Sequence, residues 1–375
     1  MLRIDQLSYW EKKSYFEQID FLVIGAGIVG LSTTIYLRER YKNAKIVIIE
    51  RGYLPTGAST KNAGFACFGS PTELYDDLQT IPEDKVWETV ELRFRGLQRL
   101  FSLIPKELIQ YQECGSWDLI TDETEKLDPN FIRYINENTY KITGHKEVYT
   151  EESESINRFG FNGFYTAYKN RLEGSLHTNL LINQLYKRVI SDDIHVLFGI
   201  NADSINYDSR NTSIQTSFGE INAGKVLICT NGFANQFLED DEVEPARAQV
   251  LITKPIANIN FEGTFHIDKG YTYFRNIDNR ILLGGGRNLN FSEERSNEFK
   301  NTLQIQSYLM NLLNEKLIPH EEIAVDYFWS GIMGIGKVKK PIIKKVNNNV
   351  YCGVRMGGMG VAIGSEVGYI LANQV

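Results

Sequence analysis

One stretch of ten residues decides the fold of this chain: Phe21-Leu22-Val23-Ile24-Gly25-Ala26-Gly27-Ile28-Val29-Gly30. The apolar run over 21–24 is typical of a buried strand, and a helical pattern follows over 31–40. A second apolar run, over 46–49, ends at Glu50. Two buried strands joined by one helix within about 30 residues predict a βαβ unit of a parallel sheet.

The glycines between strand and helix give this unit a binding function. Gly25 permits the tight turn, Gly27 lets a pyrophosphate approach the backbone, and Gly30 lets the helix pack closely on the strand. The N-terminus of a helix offers free N–H groups and a partial positive charge to phosphates. The first helical residues after this turn, and therefore candidate contacts, are Ile28 and Val29.

An acidic residue stands where this unit binds a ribose. Glu50 lies 20 residues beyond Gly30, and a carboxylate at the end of the second strand accepts hydrogen bonds from both ribose hydroxyls. It also disfavours the 2′-phosphate of NADP. We place Glu50 and the adjacent Arg51 among the cofactor-binding residues. A helix start with incidental glycines is the alternative, and the motif does not choose between FAD and NAD.

Composition excludes several classes of protein. The chain has 375 residues, 42% of them hydrophobic, and a net charge of 40 − 47 = −7. These values predict a globular protein of two or three domains. The only basic cluster is at 337–345, so we expect no nucleic-acid binding. No window of about 18 apolar residues predicts a membrane span. Residues 1–20 lack a signal peptide, and the cysteines show no pairing pattern, so we expect a reduced, cytoplasmic protein.

No metal-binding pattern is visible in the sequence. The cysteines are too widely spaced for a zinc motif, and no two histidines have the spacing of a metal pair. We therefore predict no metal site and expect each histidine to be exposed or satisfied by its neighbours. These residues are Cys67, Cys114, Cys229, Cys352, His145, His177, His195, His266 and His320.

The loop over 56–64, Thr-Gly-Ala-Ser-Thr-Lys-Asn-Ala-Gly, carries a family resemblance. Together with the preceding βαβ unit, it resembles the FAD-dependent glycine/D-amino-acid/sarcosine oxidase (DAO) family. The resemblance implies FAD as cofactor, with the isoalloxazine ring against the backbone of these small residues. A polar surface loop is the alternative. The implied cofactor contacts here are Ala58, Ser59, Asn62, Ala63 and Gly64.

Further similarity to the family extends over about 20–375. The run over 226–232 resembles a family strand, Arg247-Ala248-Gln249 resembles the entry to the substrate domain, and the segment over 329–341 aligns without a gap. The further cofactor-binding residues that the resemblance implies are Ala202, Thr230, Asn231, Gly232, Gly331, Gly357, Gly358, Met359 and Gly360.

The resemblance implies an α/β fold: an FAD-binding, Rossmann-like domain plus an α+β substrate domain with a mainly antiparallel sheet. We assign residues 1–84, 151–245 and 326–375 to the FAD-binding domain. Residues 85–150 and 246–325 form the expected substrate-binding domain.

The substrate side departs from the family. Family members hold a substrate carboxylate with an arginine two residues beyond the glycine that this chain has at Gly331, and here that position is Met333. Met333 cannot form this ion pair. Arg275, Arg287 or Arg355 is a possible replacement, and each is equally a surface or structural arginine.

Two tyrosines complete the predicted substrate site. Tyr271 and Tyr273 alternate with Thr272, so they share one strand face, either in the pocket or in the core. The predicted catalytic residues are Tyr271, Tyr273, Arg275 and Met333.

The reaction that the resemblance implies is transfer of a hydride from an amine-bearing carbon to flavin N5, giving an imine that water hydrolyses. The expected partners are a small amine or amino acid and oxygen or another electron acceptor. Three alternatives remain: a flavin dehydrogenase that uses another acceptor on a non-amino-acid substrate, a nicotinamide-dependent dehydrogenase, and a non-enzymatic flavin-binding subunit or macromolecule-modifying enzyme. The oligomeric state stays open.

Overall fold

The structure is a computed structural model that describes residues 3–207, 212–238, 243–319 and 323–375. The strands are β1 (Ile19–Ile24), β2 (Ile46–Glu50), β3 (Phe65–Ala66), β4 (Ser116–Ile120), β5 (Tyr149–Glu151), β6 (Thr166–Asn170), β7 (Gly174–Ser175), β8 (His195–Phe198), β9 (Ala202–Tyr207), β10 (Thr212–Thr216), β11 (Gly219–Ile228), β12 (Glu244–Thr253), β13 (Thr264–Ile267), β14 (Thr272–Ile277), β15 (Arg280–Gly285), β16 (Val325–Ile335), β17 (Ile342–Lys345) and β18 (Val350–Val354). The α-helices are α1 (Tyr9–Glu11), α2 (Ile28–Arg40), α3 (Ala58–Lys61), α4 (Pro71–Thr80), α5 (Glu83–Leu103), α6 (Pro129–Thr143), α7 (Ser155–Phe159), α8 (Thr178–Ser191), α9 (Phe291–Glu294), α10 (Leu303–Leu312) and α11 (Gly360–Asn373).

The first sheet is built on the predicted βαβ unit. Its strands lie in the order β17-β18-β11-β1-β2-β8. Strand β10 extends the sheet by pairing antiparallel with β11, and β9 pairs antiparallel with β10. The pairs from β18 to β8 are parallel. Residues over 46–49 and 22–24 are buried, as expected for strands that are covered on both faces.

Helices α2, α5 and α11 cover one face of this sheet. Their apolar side chains share one core, with Ile35 from α2, Leu97 from α5 and Val367 from α11. Gly96 lets α5 approach α11 closely, because a Cβ at this position would lie 2.0 Å from the carbonyl oxygen of Ala362. The packing of these three helices fixes the position of the N-terminal end of α2, which adjoins the glycine turn.

The second sheet has eight strands in the order β16-β12-β15-β14-β13-β4-β6-β5. Its neighbouring strands are antiparallel except for the parallel pair of β4 with β13. Aromatic residues fill a separate core on one face, where the rings of Phe265 and Phe274 stack at 4.6 Å. A parallel sheet with helices beside a mainly antiparallel sheet confirms the predicted fold class.

Sheet membership differs from the predicted domain boundaries in three segments. Strands β5 and β6, together over 149–170, and strand β16 pair within the second sheet, although we had assigned residues 151–170 and 326–335 to the FAD-binding domain. Helix α5, assigned to the substrate domain, packs on the first sheet because its apolar stripe contacts α11. We keep the two-domain division as a proposal, with these three segments reassigned.

The described residues include no helix that is both long enough and apolar enough to cross a bilayer.

Candidate active site

A cavity of about 480 Å³ lies between the two sheets. Its first wall consists of residues at the carboxyl ends of parallel strands, among them Gly25, Glu50 and Thr230. Its second wall includes Tyr273 of β14 and Met333 of β16. Ligands of open α/β sheets bind outside the carboxyl ends of the strands, so the cavity lies where the glycine motif predicts a cofactor.

The glycine turn leaves no room for side chains. Gly25 has a φ of +106°, and a Cβ there would lie 2.9 Å from the carbonyl oxygen of Cys229. A Cβ on Gly30 would lie 2.0 Å from the Gly25 carbonyl oxygen, and one on Gly27 would lie 2.9 Å from Ser59 Oγ. A Cβ at Gly27 would narrow the space between the turn and the loop that follows β2. The turn therefore presents bare backbone to the cavity and fits a pyrophosphate.

The Glu50 carboxylate links the ends of β1 and β2. Its Oε2 accepts a hydrogen bond from the Ala26 backbone N–H at 3.0 Å, and its Oε1 accepts one from Gly52 at 3.0 Å. Each carboxylate oxygen has two lone pairs, so both can still accept from a hydroxyl group. Nearby, the Arg51 guanidinium lies 3.7 Å from the centre of the Phe233 ring. This end of the cavity fits a ribose.

Side chains of the small-residue loop hold its backbone in place. Ser59 Oγ accepts from the Ile28 N–H at 3.1 Å, which ties the loop to the first turn of α2. The Asn62 amide donates to the carbonyl oxygens of Ala58 and Ser59 at 3.0 and 2.9 Å. Its oxygen accepts from the Gly64 N–H at 2.9 Å. Asn62 therefore shapes the loop, as well as lining the cavity.

Arg275 does not lie in the predicted substrate position. Its side chain is buried behind the loop and is absent from the cavity wall. One guanidinium nitrogen donates to the carbonyl oxygen of Leu176 at 3.0 Å and to those of Ala63 and Gly64 at 3.4 Å. Strand β14 directs Arg275 toward the backbone behind the loop, a placement that the residue type alone does not reveal. This placement corrects the predicted substrate contact of Arg275.

The tyrosine pair and Met333 meet in a chamber at the second-sheet side of the cavity. Tyr271 and Tyr273 both line it, while Thr272 points away and contacts the hydroxyl of Tyr308. Burial raises the pKa of Tyr273 to about 12, so this phenol stays protonated at neutral pH. The chamber offers aromatic faces, one thioether and a hydroxyl donor to a small ligand.

Arg287 places a cationic side chain beside this chamber. Its guanidinium lies 5.6 Å from the centre of the Tyr271 ring and 4.8 Å from that of Phe291. Within the described residues it has no hydrogen bond and no ion pair. Burial lowers its pKa, and the nearby negative charge of Glu294 partly offsets this effect. A carboxylate in the chamber would be a direct partner for the guanidinium.

The C-terminal glycine loop closes the opposite side of the chamber. The Met356 N–H donates to Asn231 Oδ1 at 3.1 Å, and the Gly357 N–H donates to the Gly334 carbonyl at 3.0 Å. Asn231 has a φ of +48°, a conformation that Asn tolerates better than most residues. Asn231 therefore has a structural role, because it holds the backbone of the C-terminal glycine loop.

An ionic cluster that the sequence did not reveal lies at the rim. Helix α4 presents Glu73 and Asp77 to Lys339, with Lys339 Nζ 3.3 Å and 2.7 Å from their carboxylates. Glu73 also pairs with Arg93 at 3.1 Å. Burial alone would raise the pKa of Glu73, but Arg93 and Lys339 lower it to about 2. The cluster joins α4 to the Lys-rich turn after β16.

Most predicted site residues line this cavity. The exceptions are Gly30, Gly64, Gly232 and Arg275, which allow or support close backbone packing around it. The predicted residues in the wall are Gly25, Gly27, Ile28, Val29, Glu50, Arg51, Ala58, Ser59, Asn62, Ala63, Ala202, Thr230, Asn231, Tyr271, Tyr273, Gly331, Met333, Gly357, Gly358, Met359 and Gly360.

Comparison with known proteins identifies relatives that match nearly the whole length of this chain. The family model described as FAD dependent oxidoreductase (DAO) matches residues 20–374. A probable oxidoreductase OrdL of Haemophilus influenzae is 20% identical over 373 residues, which cover 96% of this chain and 83% of the relative. The protein of the same name from Rhizobium meliloti is 21% identical over 371 residues, covering 94% and 82%.

Solved structures with the same fold include two that are named for amino-acid oxidation. L-proline dehydrogenase from P. horikoshii superposes with a TM-score of 0.77 at 17% identity, covering 95% of this chain and 93% of that one. Glycine oxidase from Bacillus cereus gives a TM-score of 0.74 at 16% identity, covering 95% and 94%. At this level of identity the likeness confirms the fold.

Proposed function

The chain belongs to the DAO family of FAD-dependent oxidoreductases, and from this membership we propose that it oxidises the carbon–nitrogen bond of a small amine or amino acid. One observation carries the proposal. A single cavity joins the glycine turn and Glu50 to the chamber of Tyr271, Tyr273 and Met333. Cofactor and substrate can therefore meet without any change of the fold.

FAD fits the first part of this cavity. The bare turn at Gly25 and Gly27 suits the pyrophosphate, and Glu50 suits the ribose hydroxyls. The isoalloxazine ring would lie between the loop over 58–63 and the glycine loop over 357–360. Its substrate face would then be directed at the chamber. Ala202, Thr230 and Gly331 would complete the binding surface as predicted.

Bound FAD would supply the acceptor for a hydride from the amine-bearing carbon, and water would then hydrolyse the resulting imine. The chain's own residues position the substrate and exclude water. Tyr273 remains a neutral donor, Met333 leaves one side of the chamber apolar, and Arg287 supplies a positive charge. This arrangement favours an amine that also carries an anionic group.

The proposal is tested by absorption spectroscopy without oxygen. The purified protein, supplied with FAD if necessary, is mixed with a panel of amino acids and with the amines that lack their carboxylates. We expect the flavin absorption to bleach with at least one amine-containing compound, and more readily with the anionic form. A flavin that no amine or amino acid reduces, but that dithionite reduces, would contradict the proposed reaction.

Arg287→Leu should weaken substrate binding selectively. A hydrogen bond to a charged group contributes about 1.5–3 kcal/mol, so KM for an anionic substrate should rise roughly 10- to 100-fold. The FAD content should not change, because Arg287 lies in the chamber on the second-sheet side. Steady-state kinetics with an amino acid and its decarboxylated amine measure the effect.

Two controls make the Arg287 experiment specific. Arg287→Lys keeps the charge and should recover part of the affinity, whereas KM for the decarboxylated amine should change less than about threefold in either variant. If both substrates lose affinity equally, the substitution distorts the chamber and Arg287 does not bind the anionic group.

Arg275→Leu should have the opposite profile. The substitution leaves the carbonyl oxygens of Ala63, Gly64 and Leu176 without their charged donor, at a cost of about 2–3 kcal/mol. We expect weaker FAD binding and lower stability, with KM unchanged in the fraction that retains FAD. Titration of the variant with FAD, followed by kinetics at saturation, checks this. A raised KM with normal FAD affinity would restore Arg275 to the substrate site.

The electron acceptor of the reaction and the cellular compartment of the protein are further parts of this proposal. Stopped-flow mixing of the reduced protein with oxygen separates an oxidase from a dehydrogenase that uses another acceptor. None of the four cysteines, all of which lie in the described part of the chain, forms a disulfide bond, which supports a reducing, cytoplasmic environment.

A further inference from the structure

Three residues that are far apart in sequence converge at one wall of the cavity. Cys67 follows β3, Glu173 precedes β7 and His266 lies in β13. One ligand atom from each, the Cys67 sulfur, a Glu173 oxygen and a ring nitrogen of His266, all lie within 4.8 Å of one another. Cys67 and His266 also line the cavity. The proposed oxidation uses none of these groups.

Glu173 is a buried acid without a cation. Its side chain is fully buried, and no described Lys, Arg or His forms an ion pair with it. Oε1 accepts from the N–H groups of Phe68 and Gly69 at 2.6 and 3.0 Å, and Oε2 accepts from the Ser116 hydroxyl. Burial raises the pKa of Glu173 to about 7. Burying the charged form of a carboxylate is costly unless a positive charge compensates it, so a cation beside Glu173 would favour its charged form.

The second residue of the cluster, His266, has an unpaired ring nitrogen. Its Nε2 is buried and has no hydrogen-bond partner among the described residues. Burial lowers the pKa of the ring to about 4, so the imidazole is neutral and keeps a lone pair on one nitrogen. This differs from the sequence expectation that every histidine is exposed or satisfied; His320 lies outside the described residues.

Cys67 is the third group. Its thiol is buried and its nearest polar neighbour outside the cluster is Thr264 Oγ1, at 3.7 Å. Burial, followed by the nearby Glu173, raises the pKa of the thiol. Without a metal the thiol is therefore protonated and unreactive, and it contributes a sulfur ligand only when a cation displaces its proton.

We propose that Cys67, Glu173 and His266 bind a divalent transition-metal ion of the Zn²⁺ type. Thiolate, imidazole and carboxylate are the ligands that Zn²⁺ takes in proteins. The ion would compensate the Glu173 charge, occupy the lone pair of His266 and release the Cys67 proton to solvent, so that the two negative ligands balance its charge. Three protein ligands leave a fourth position, which would face the cavity and hold a water molecule.

No pattern in the sequence indicates this site, and we predicted no metal site. The ligands come from a loop and two strands that only the fold brings together, so no short spacing marks them. Ligand atoms 2.0–2.3 Å from a common ion lie within about 4 Å of one another. Side-chain adjustments of less than about 1 Å are therefore enough to close the site.

Metal analysis of the FAD-bound protein tests the inference. The protein is incubated with Zn²⁺, dialysed and analysed for metal by mass spectrometry, and a parallel sample receives Co²⁺. We expect one metal ion per chain, and cobalt d–d bands at wavelengths longer than those at which oxidised flavin absorbs. Cys67→Ser and His266→Asn should each reduce metal binding at least tenfold.

A matched substitution separates this site from adventitious binding. Cys229→Ser changes another buried cysteine, beside the glycine turn and outside the cluster, and should keep the full metal content. Wild-type protein that retains FAD but binds neither metal would overturn the inference. So would metal binding that Cys67→Ser and His266→Asn leave unchanged. Both outcomes are read without any substrate, so they leave the proposed oxidation untouched.

Discussion

Replacing Gly30 by alanine should abolish stoichiometric FAD binding. The new methyl group would lie 2.0 Å from the carbonyl oxygen of Gly25, and 3.3 Å from Val23 Cγ1. Backbone cannot move aside as a flexible side chain does, so α2 or the glycine turn must shift. We expect FAD affinity to fall roughly 100-fold or more, equivalent to about 2.7 kcal/mol, with an added loss of stability from overpacking of about 1–3 kcal/mol.

The comparison for Gly30 is Gly57, which lines the cavity immediately before helix α3. A Cβ on Gly57 would meet no atom within 4 Å, so Gly57→Ala should keep normal FAD binding. Flavin absorbance per protein measures the cofactor, and far-ultraviolet circular dichroism verifies folding. A folded Gly30→Ala protein with one FAD per chain would show that the close approach of α2 to the turn is not required.

Removing Glu294 should cause the largest loss of stability outside the cofactor site. Arg247 and Glu294 form a buried, two-point ion pair, with both nitrogen–oxygen distances at 2.9 Å and side-chain exposures of 3% and 1%. Gln249 also donates to Glu294, at 2.8 Å. Because Glu294→Ala leaves the arginine charge buried and unpaired, the free energy of unfolding should fall by about 3–5 kcal/mol. Denaturant unfolding measures the change.

An exposed ion pair provides the reference. Arg95 and Glu91 lie 3.4 Å apart, each about half exposed, so Glu91→Ala should change stability by about 0.5 kcal/mol or less. Glu294 also ends helix α9, whose Phe291 contacts Arg287. We therefore expect the Glu294 variant to raise KM as well. Equal stabilities for the two variants would contradict the role assigned to the buried pair.

The cofactor side of the molecule was predictable because its determinants are local. Strand, glycine turn, helix and acid follow one another over 21–50, and each residue has one physical task that its type reveals. The bare backbone of the glycine turn lies where that order requires. So does the Glu50 carboxylate, which accepts a hydrogen bond from the Ala26 N–H. The same reasoning anticipated that Tyr271 and Tyr273 share a face, since alternation along a strand is also a local property.

The substrate side could not be predicted in the same way. Arg275 and Arg287 are both arginines on or beside strands of one hairpin, and only the fold shows that the first supports the loop at Ala63 while the second faces the chamber. The contacts of Glu73 with Lys339 join residues that are far apart in the chain. Burial and three-dimensional proximity, which composition and spacing do not encode, decide these roles.

A crystal structure of the protein with bound FAD would test the proposed site most directly. The expected placement has the pyrophosphate at Gly25 and Gly27, a ribose hydroxyl on Glu50, and one face of the flavin ring toward Tyr271, Tyr273 and Met333. Electron density for FAD outside this cavity, or for a flavin ring directed away from the chamber, would contradict it.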